Sequence, residues 1–327
     1  MTEKTTYIVA GCDGKLGGRV AENMLKEVSG EQLIFTCPDL NRLPEEKKSR
    51  WEAQGVSVRQ ANYDNVEEMT EAFKGGDRIY IVSTILNGPI RVMQHKNAFD
   101  ASVAAGVKHI VYTSAIGADQ LEFIPYVLPD HIASEAYLKE MAGRLGFTYN
   151  IMRNSLYMDN YLTDALILAN LNDYVWGTNA GNAMFTPIAK DDSAACATAL
   201  LLGKGEPNTA YNLTSDVPIC QKDICELVAA HSGLPFKYVV MNNEEYLEVL
   251  DRIGVPRTTE GFSTKAPVLW CSNDMVTNEG NVGAGNGLII TNDVEKLLGR
   301  KPLHVSDLLD YYSYMWEEKV VHWTGVR

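Results

Sequence analysis

The chain has 327 residues, 46% of them apolar and 22% charged, and a formal net charge of −13. That length carries one large α/β unit or two modest domains, and the acidic balance disfavours any partner built on a phosphate backbone, so no nucleic acid is expected. No stretch approaches the roughly 20 apolar residues of a bilayer span, and Met1 to Thr6 form no apolar leader; a cytoplasmic chain with no membrane partner is the expectation.

The first strand is Tyr7 to Ala10, and it runs into Gly11, Gly14 and Gly17 at G-x-x-G-x-x-G spacing. A helical face follows at once through Leu16, Val20, Met24, Leu25 and Val28. Strands two and three read as Leu33 to Cys37 and Val56 to Arg59. A short helix over Val66 to Phe73 follows the capping candidates Asp64 and Asn65. Strand four, Arg78 to Val82, is apolar after its first residue, as a buried parallel strand should be. A helix over Arg91 to Ala105, strand five at His109 to Thr113, a helix over His131 to Leu145 and strand six at Thr148 to Arg153 complete the alternation. Repeated βαβ units predict an α/β fold, a doubly wound parallel sheet of Rossmann type.

After Asn154 the rhythm is irregular. A helix over Tyr161 to Leu171, a hairpin-like stretch from Asp173 to Ile188 and a helix over Asp192 to Leu202 are expected. A strand at Tyr211 to Leu213 is placed to join the main sheet. Asp223 to His231 and Glu244 to Ile253 read as helices flanking a strand at Phe236 to Val240. The polar, aromatic segment Thr258 to Asn281 fits no element, whereas Asn292 to Leu298 and Val305 to Glu317 look helical. The division expected is a dinucleotide-binding domain over 1–154 and a smaller substrate lobe over 155–327, interleaved with the sheet.

The glycine turn carries the chemistry. Gly11 permits the turn, Gly14 lets backbone approach a pyrophosphate, and Gly17 lets the helix pack on the strand. The helix N-terminus then faces the anion, with Asp13, Lys15 and Leu16 around it. Asp39 lies about 20 residues past the last glycine, where a carboxylate binds the adenosine ribose of NAD; the alternative is that it opens a turn after Pro38. Arg42 and, later, Lys47 and Lys48 offer a phosphate partner instead. NAD(H) is favoured over NADP(H) on this reading. Asn62 and Tyr63 after strand three, Ser83 and Thr84 after strand four, and Thr113 and Ser114 at the end of strand five all fall in the crevice at the carboxyl ends of the strands. The six cysteines, Cys12, Cys37, Cys196, Cys220, Cys225 and Cys271, have no metal spacing, so no metal is expected and the thiols read as reduced. Cys12, at a helix N-terminus, sits where a thiolate is favoured, although a small turn-filling residue serves as well. Trp176, Trp270 and Trp316 are candidates for an aromatic pocket or for core.

The turn Gly11-Cys12-Asp13-Gly14-Lys15-Leu16-Gly17-Gly18 resembles the GATGxLG fingerprint of the NmrA-like, atypical short-chain dehydrogenase/reductase family. Ala105 to Ser114, His131 to Glu135, Arg153 to Asn160 and Leu297 to Pro302 extend that resemblance over nearly the whole chain, toward the NAD(P)H:quinone oxidoreductase branch. Cys12 and Asp13 depart from the usual Ala and Thr. The Tyr-xxx-Lys pair of most short-chain dehydrogenases is replaced by Val127 and His131, with Tyr126 adjacent and Glu135 one turn on. The resemblance implies an NAD(P)H-dependent oxidoreductase acting on a conjugated aromatic or quinone-like small molecule. His131 is the candidate proton donor or ribose-orienting group, or it bonds a carbonyl at the helix start. Asn154 and Tyr157 line the nicotinamide, with Tyr157 as a stacking wall or an acid. Two alternatives stay open: a dinucleotide-sensing regulator without turnover, and a benzylic C–O bond reductase using Lys139. The sequence also leaves room for a homodimer.

Overall fold

The computed structural model describes residues 4–119, 126–261 and 265–327. Strands β1 (Tyr7–Ala10), β2 (Leu33–Cys37), β3 (Ser57–Gln60), β4 (Arg78–Ile81), β5 (His109–Ala115) and β6 (Thr148–Asn154) alternate with helices. These are α1 (Lys15–Glu27), α2 (Glu45–Ala53), α3 (Val66–Phe73), α4 (Pro89–Ala104) and α5 (Leu128–Leu145). The second half contributes α6 (Met158–Tyr161), α7 (Asp164–Leu171), β7 (Val175–Thr178), α8 (Lys190–Leu201), β8 (Thr209–Leu213), α9 (Gln221–Ser232), β9 (Lys237–Val240) and α10 (Asn243–Ile253). It ends with α11 (Ser272–Gly283), α12 (Asp293–Leu298), α13 (Leu309–Tyr312) and α14 (Tyr314–Glu317).

Seven strands form one parallel sheet in the order β3-β2-β1-β4-β5-β6-β8. The order reverses between β1 and β4, which opens a crevice at the carboxyl ends of the strands. The strand period of two sorts the core. On β1, Ile8 and Ala10 face α3, α4 and α5 with Ile34, Ile79 and Ile110. Tyr7 and Val9 face α1, α8 and α12 with Phe35, Tyr80 and Val111. Each fully buried aliphatic side chain in these layers contributes about 1.5–3 kcal/mol. A third apolar cluster gathers residues from Met158 to Val320, among them Trp176 and Trp316.

Several expectations are corrected. Asp173 to Ile188 is not a hairpin: Asp173 and Tyr174 turn the chain at positive φ, and β7 pairs in parallel with β9. The helix expected over 161–171 is broken at Leu162 and Thr163 into α6 and α7, because Thr163 leaves helical geometry at φ −123°. Helix α2 has only Trp51 buried, too little apolar periodicity to be read from the sequence. The unassigned 258–281 segment contains most of α11, while 262–264 lie outside the described residues. Strand β8 joins the main sheet beside β6, as expected.

Candidate active site

At the end of β1 the chain turns at Gly11, whose φ is +70°. A Cβ on Gly17 would lie 2.2 Å from Gly11 O and 3.0 Å from Ala10 O, so only glycine lets α1 start this close to the strand. Gly14 caps α1 with no side-chain hydrogen bond, leaving the helix N–H groups to a ligand. This turn forms one end of a cavity of about 1460 Å³ that runs along the carboxyl ends of the strands into the second half of the chain.

The end of the cavity at the glycine turn is basic although the chain is acidic. Lys15, Arg19, Arg42 and Lys47 line it. Lys15 donates to Val326 O at 2.6 Å, and its ammonium is held below its ordinary range by burial and by repulsion from Lys190, Arg19 and Lys47. Lys47 lies over the Trp51 ring at 4.7 Å, and no carboxylate pairs with it among the described residues. Crowded cations around free helix N–H groups suit a polyanion.

Asp39 is placed differently from the expectation. Its Oδ1 accepts from Asn41 N and Asn41 Nδ2, both at 2.9 Å, which caps a short turn. Its neighbours Pro38 and Arg42 line the cavity, and Asp39 does not. Arg42 Nη2 meets Asp13 Oδ2 at 3.1 Å. The preference for NAD(H) that rested on Asp39 therefore loses its geometric support.

Other expected residues do gather on the cavity: Gly11, Asp13, Gly14, Lys15, Leu16, Gly17, Asn62, Tyr63, Ser83, Thr84, Thr113, Ser114, His131, Asn154 and Tyr157. Several are held by their neighbours. Tyr63 donates to Val82 O at 3.3 Å, Thr113 Oγ1 to Tyr80 Oη at 2.9 Å, and Ser114 Oγ to Glu135 Oε1 at 2.8 Å. Ser193 Oγ donates to Asn154 Oδ1 at 2.8 Å. Four buried polar atoms on cavity residues have no partner among the described residues: Thr84 Oγ1, Gln94 Oε1, Asn154 Nδ2 and Trp323 Nε1. A dinucleotide supplies partners for such groups, so the residues present fit one.

His131 is buried on α5, and its Nδ1 lies 2.9 Å from Tyr112 Oη, not at a carbonyl of the helix start. Burial, then the charge of Arg91, pushes its pKa down to about 3, so it is neutral at physiological pH and carries no acidic proton there. Burial likewise pushes the Tyr157 phenol well above its ordinary range, which suits a wall rather than an acid. Tyr126 is exposed, and its backbone N–H donates to Thr277 Oγ1. Lys139 pairs with buried Glu135 at 2.9 Å and does not line the cavity, so the C–O reductase alternative loses its lysine. The pKa of the Cys12 thiol is raised by its hydrogen bond with Cys37 and by burial, so of the two readings the small turn-filling residue holds and the thiolate does not.

Of the far chamber the sequence offered two walls, Trp176 and Trp270, and gave no sign of the rest. Trp176, Trp270, Tyr161, Phe185 and Tyr246 give it aromatic walls; Trp316 shares the buried apolar cluster of Trp176 but does not line the cavity. Lys190 enters at the junction of the two ends, 5.5 Å from the Tyr157 ring centre and 2.8 Å from Asn160 Oδ1. Helix α11 adds two carboxyl groups. Burial raises Asp274 to about 6 and Glu279 to about 8. Glu279 accepts from Tyr161 Oη at 3.2 Å and from Gln221 Nε2. An isolated lysine at the edge of an expected helix and carboxylates in an irregular segment gave no pattern to read.

A model of the NmrA-like family matches residues 3–264. The chain belongs to the NmrA-like family. It is 30% identical over 249 residues to quinone oxidoreductase 2 of Escherichia coli, a match covering 76% of this chain and 82% of that one. The structure of Citrobacter sp. triphenylmethane reductase complexed with NADP(H) superposes with a TM-score of 0.77 at 27% identity, covering 93% of this NmrA-like chain and 99% of that one. An NADPH-dependent quinone oxidoreductase from Escherichia coli, complexed with NADPH, shares the fold at a TM-score of 0.79 and 24% identity over 94% and 99% of the two chains.

Proposed function

We propose that this NmrA-like protein is a reductase that uses NADPH to reduce a quinone-like or other conjugated aromatic acceptor. The observation that carries it is one continuous cavity, basic at the glycine turn and aromatic at the far end. The solved relatives that carry NADPH or NADP(H) support the phosphorylated cofactor, in place of the NAD(H) expected from Asp39. The 2′-phosphate is assigned to Arg42 and Lys47, and the pyrophosphate to the turn from Gly11 to Gly17 and Lys15. Residues 155–327 serve as the acceptor lobe.

When bound, the reduced nicotinamide supplies a hydride. The chain's own residues position, shield and polarise. Asn154 Nδ2 and Thr84 Oγ1 offer unpaired hydrogen-bonding atoms along the crevice. Tyr157 gives a flat wall, and Trp176, Trp270 and Phe185 exclude water from the acceptor ring. Lys190 places a cation where the two ends meet. A quinone needs little acid help, because its reduced oxygens take protons from water, which suits a site without Tyr-xxx-Lys. The test is NADPH oxidation with a panel of quinones and a triphenylmethane dye. Acceptor-dependent oxidation supports the reading, and unchanged NADPH with every acceptor refutes it.

A further inference from the structure

Behind the cavity wall lies a buried chain of hydrogen bonds that the reading above leaves without a role. It runs from the loop after β4, through α4 and β5, to α5. Thr84 N–H donates to His95 Nε2 at 3.2 Å. A backbone N–H only donates, so Nε2 of this fully buried ring is bare and the ring's proton is on Nδ1. Two oxygens lie within reach of that Nδ1–H, Ser134 Oγ at 2.9 Å and Tyr112 Oη at 3.1 Å. Ser134 Oγ gives its own proton to Asp130 O at 2.7 Å and therefore accepts. Tyr112 Oη, approached by a donor on the His95 side, has its proton left for His131 Nδ1 at 2.9 Å. His131 Nδ1 then accepts, and Nε2 bears the hydrogen. No described residue bonds Nε2, and His131 lines the cavity.

We infer that His95 and Tyr112 are positioning residues that hold His131 as its Nε2–H tautomer, a neutral hydrogen-bond donor aimed at the acceptor atom that gains negative charge on reduction. This rests on the reductase reading. It asks no proton transfer of His131, only a fixed dipole where charge develops, and a preorganised donor in a water-poor site is effective there. The surroundings favour a neutral ring. Arg91 on α4 repels a second proton, Asp130 and Asp274 partly offset that charge, and Glu135 on the same helix is tied to Arg153. The pKa of His95 falls well below its ordinary value for the same main reason, burial. The signal in the sequence is slight: His95 and His131 lie 36 positions apart with no common motif.

The test is ¹⁵N NMR of histidine-labelled protein between pH 5 and 8, with and without NADPH, the His131 signals assigned by their loss in His131→Gln. The expected spectrum has His131 protonated at Nε2 and bare at Nδ1, His95 the reverse, and neither titrating. A proton on His131 Nδ1, which requires Tyr112 to turn toward Ser134, overturns the inference, as does titration of His131 in this range. Kinetics give the second arm. His131→Asn, whose amide matches Nδ1 and not Nε2, loses about 100-fold in kcat with NADPH affinity retained. His131→Gln, which keeps a donor near Nε2, recovers most of that loss, and equal activity of the two variants overturns the inference. Tyr112→Phe gives mixed His131 tautomers and a smaller kcat loss; a single unchanged tautomer there removes the positioning role and does not depend on either histidine variant folding. Absence of turnover with every acceptor defeats the reductase reading, while the spectrum still decides the tautomer.

Discussion

Arg42→Ala separates the two cofactors. Arg42 reaches the cavity from the turn after β2, and its side chain is 61% exposed beside an Asp13 that is 7% exposed. A charge-assisted contact from this guanidinium to a 2′-phosphate contributes about 1.5–3 kcal/mol. Binding draws on the pair with Asp13, which is open to solvent on its Arg42 side and is worth about 1 kcal/mol. The net loss in the variant is then about 1–2 kcal/mol, a rise of roughly 5- to 30-fold in the NADPH Kd. NADH has no phosphate there, so its Kd stays within a factor of about two. The assay is nicotinamide fluorescence titration of wild type and variant with each cofactor. Equal weakening of both cofactors, or an unchanged NADPH Kd, refutes the assignment of Arg42. Stronger wild-type binding of NADH, lost in Asp39→Ala, restores the carboxylate reading in its place.

Asp13→Asn removes the anion nearest Arg42, and its NADPH Kd falls about threefold in titrations at low salt, with the gain shrinking as salt is added. Gly17→Ala puts a Cβ 2.2 Å from Gly11 O, and backbone cannot swing aside. It costs at least about 1–3 kcal/mol, visible as a lower urea midpoint, together with loss of NADPH binding; a wild-type midpoint sinks the close-packing argument. Burial raises Glu279 to about 8, so the folded protein holds a proton there that the unfolded chain releases near its ordinary value. Stability therefore falls as pH rises from about 4.5 through 8. Glu279→Gln flattens this part of the urea-midpoint profile, and an identical slope in the variant contradicts the assignment.

The sheet was legible because its strands are short apolar runs punctuated by glycine, and because both faces are buried. The glycine turn was legible for the same reason: three spacings, each demanded by backbone contact, leave a mark on the sequence. What failed needs distance information. Asp39 sits at the right count from the glycines, yet its carboxylate closes onto Asn41 two residues away. Lys190 reaches Tyr157 across 33 positions, and Glu279 reaches Tyr161 across 118. His95 has no partner pattern in the sequence, although the fold brings Thr84, Tyr112 and Ser134 to it from three separate segments. Side chains that meet only through topology carry no local period.

The central claim is that one cavity joins NADPH to an aromatic acceptor. Its most direct test is a single-turnover experiment, with enzyme in excess over NADPH and a quinone added under anaerobic conditions. Nicotinamide absorbance should disappear in one exponential phase, with one hydroquinone formed per NADPH, and Trp270→Ala, at a half-buried wall of the far chamber, should weaken the quinone dependence without changing NADPH affinity. Tight NADPH binding with no decay of absorbance for any quinone would contradict the account.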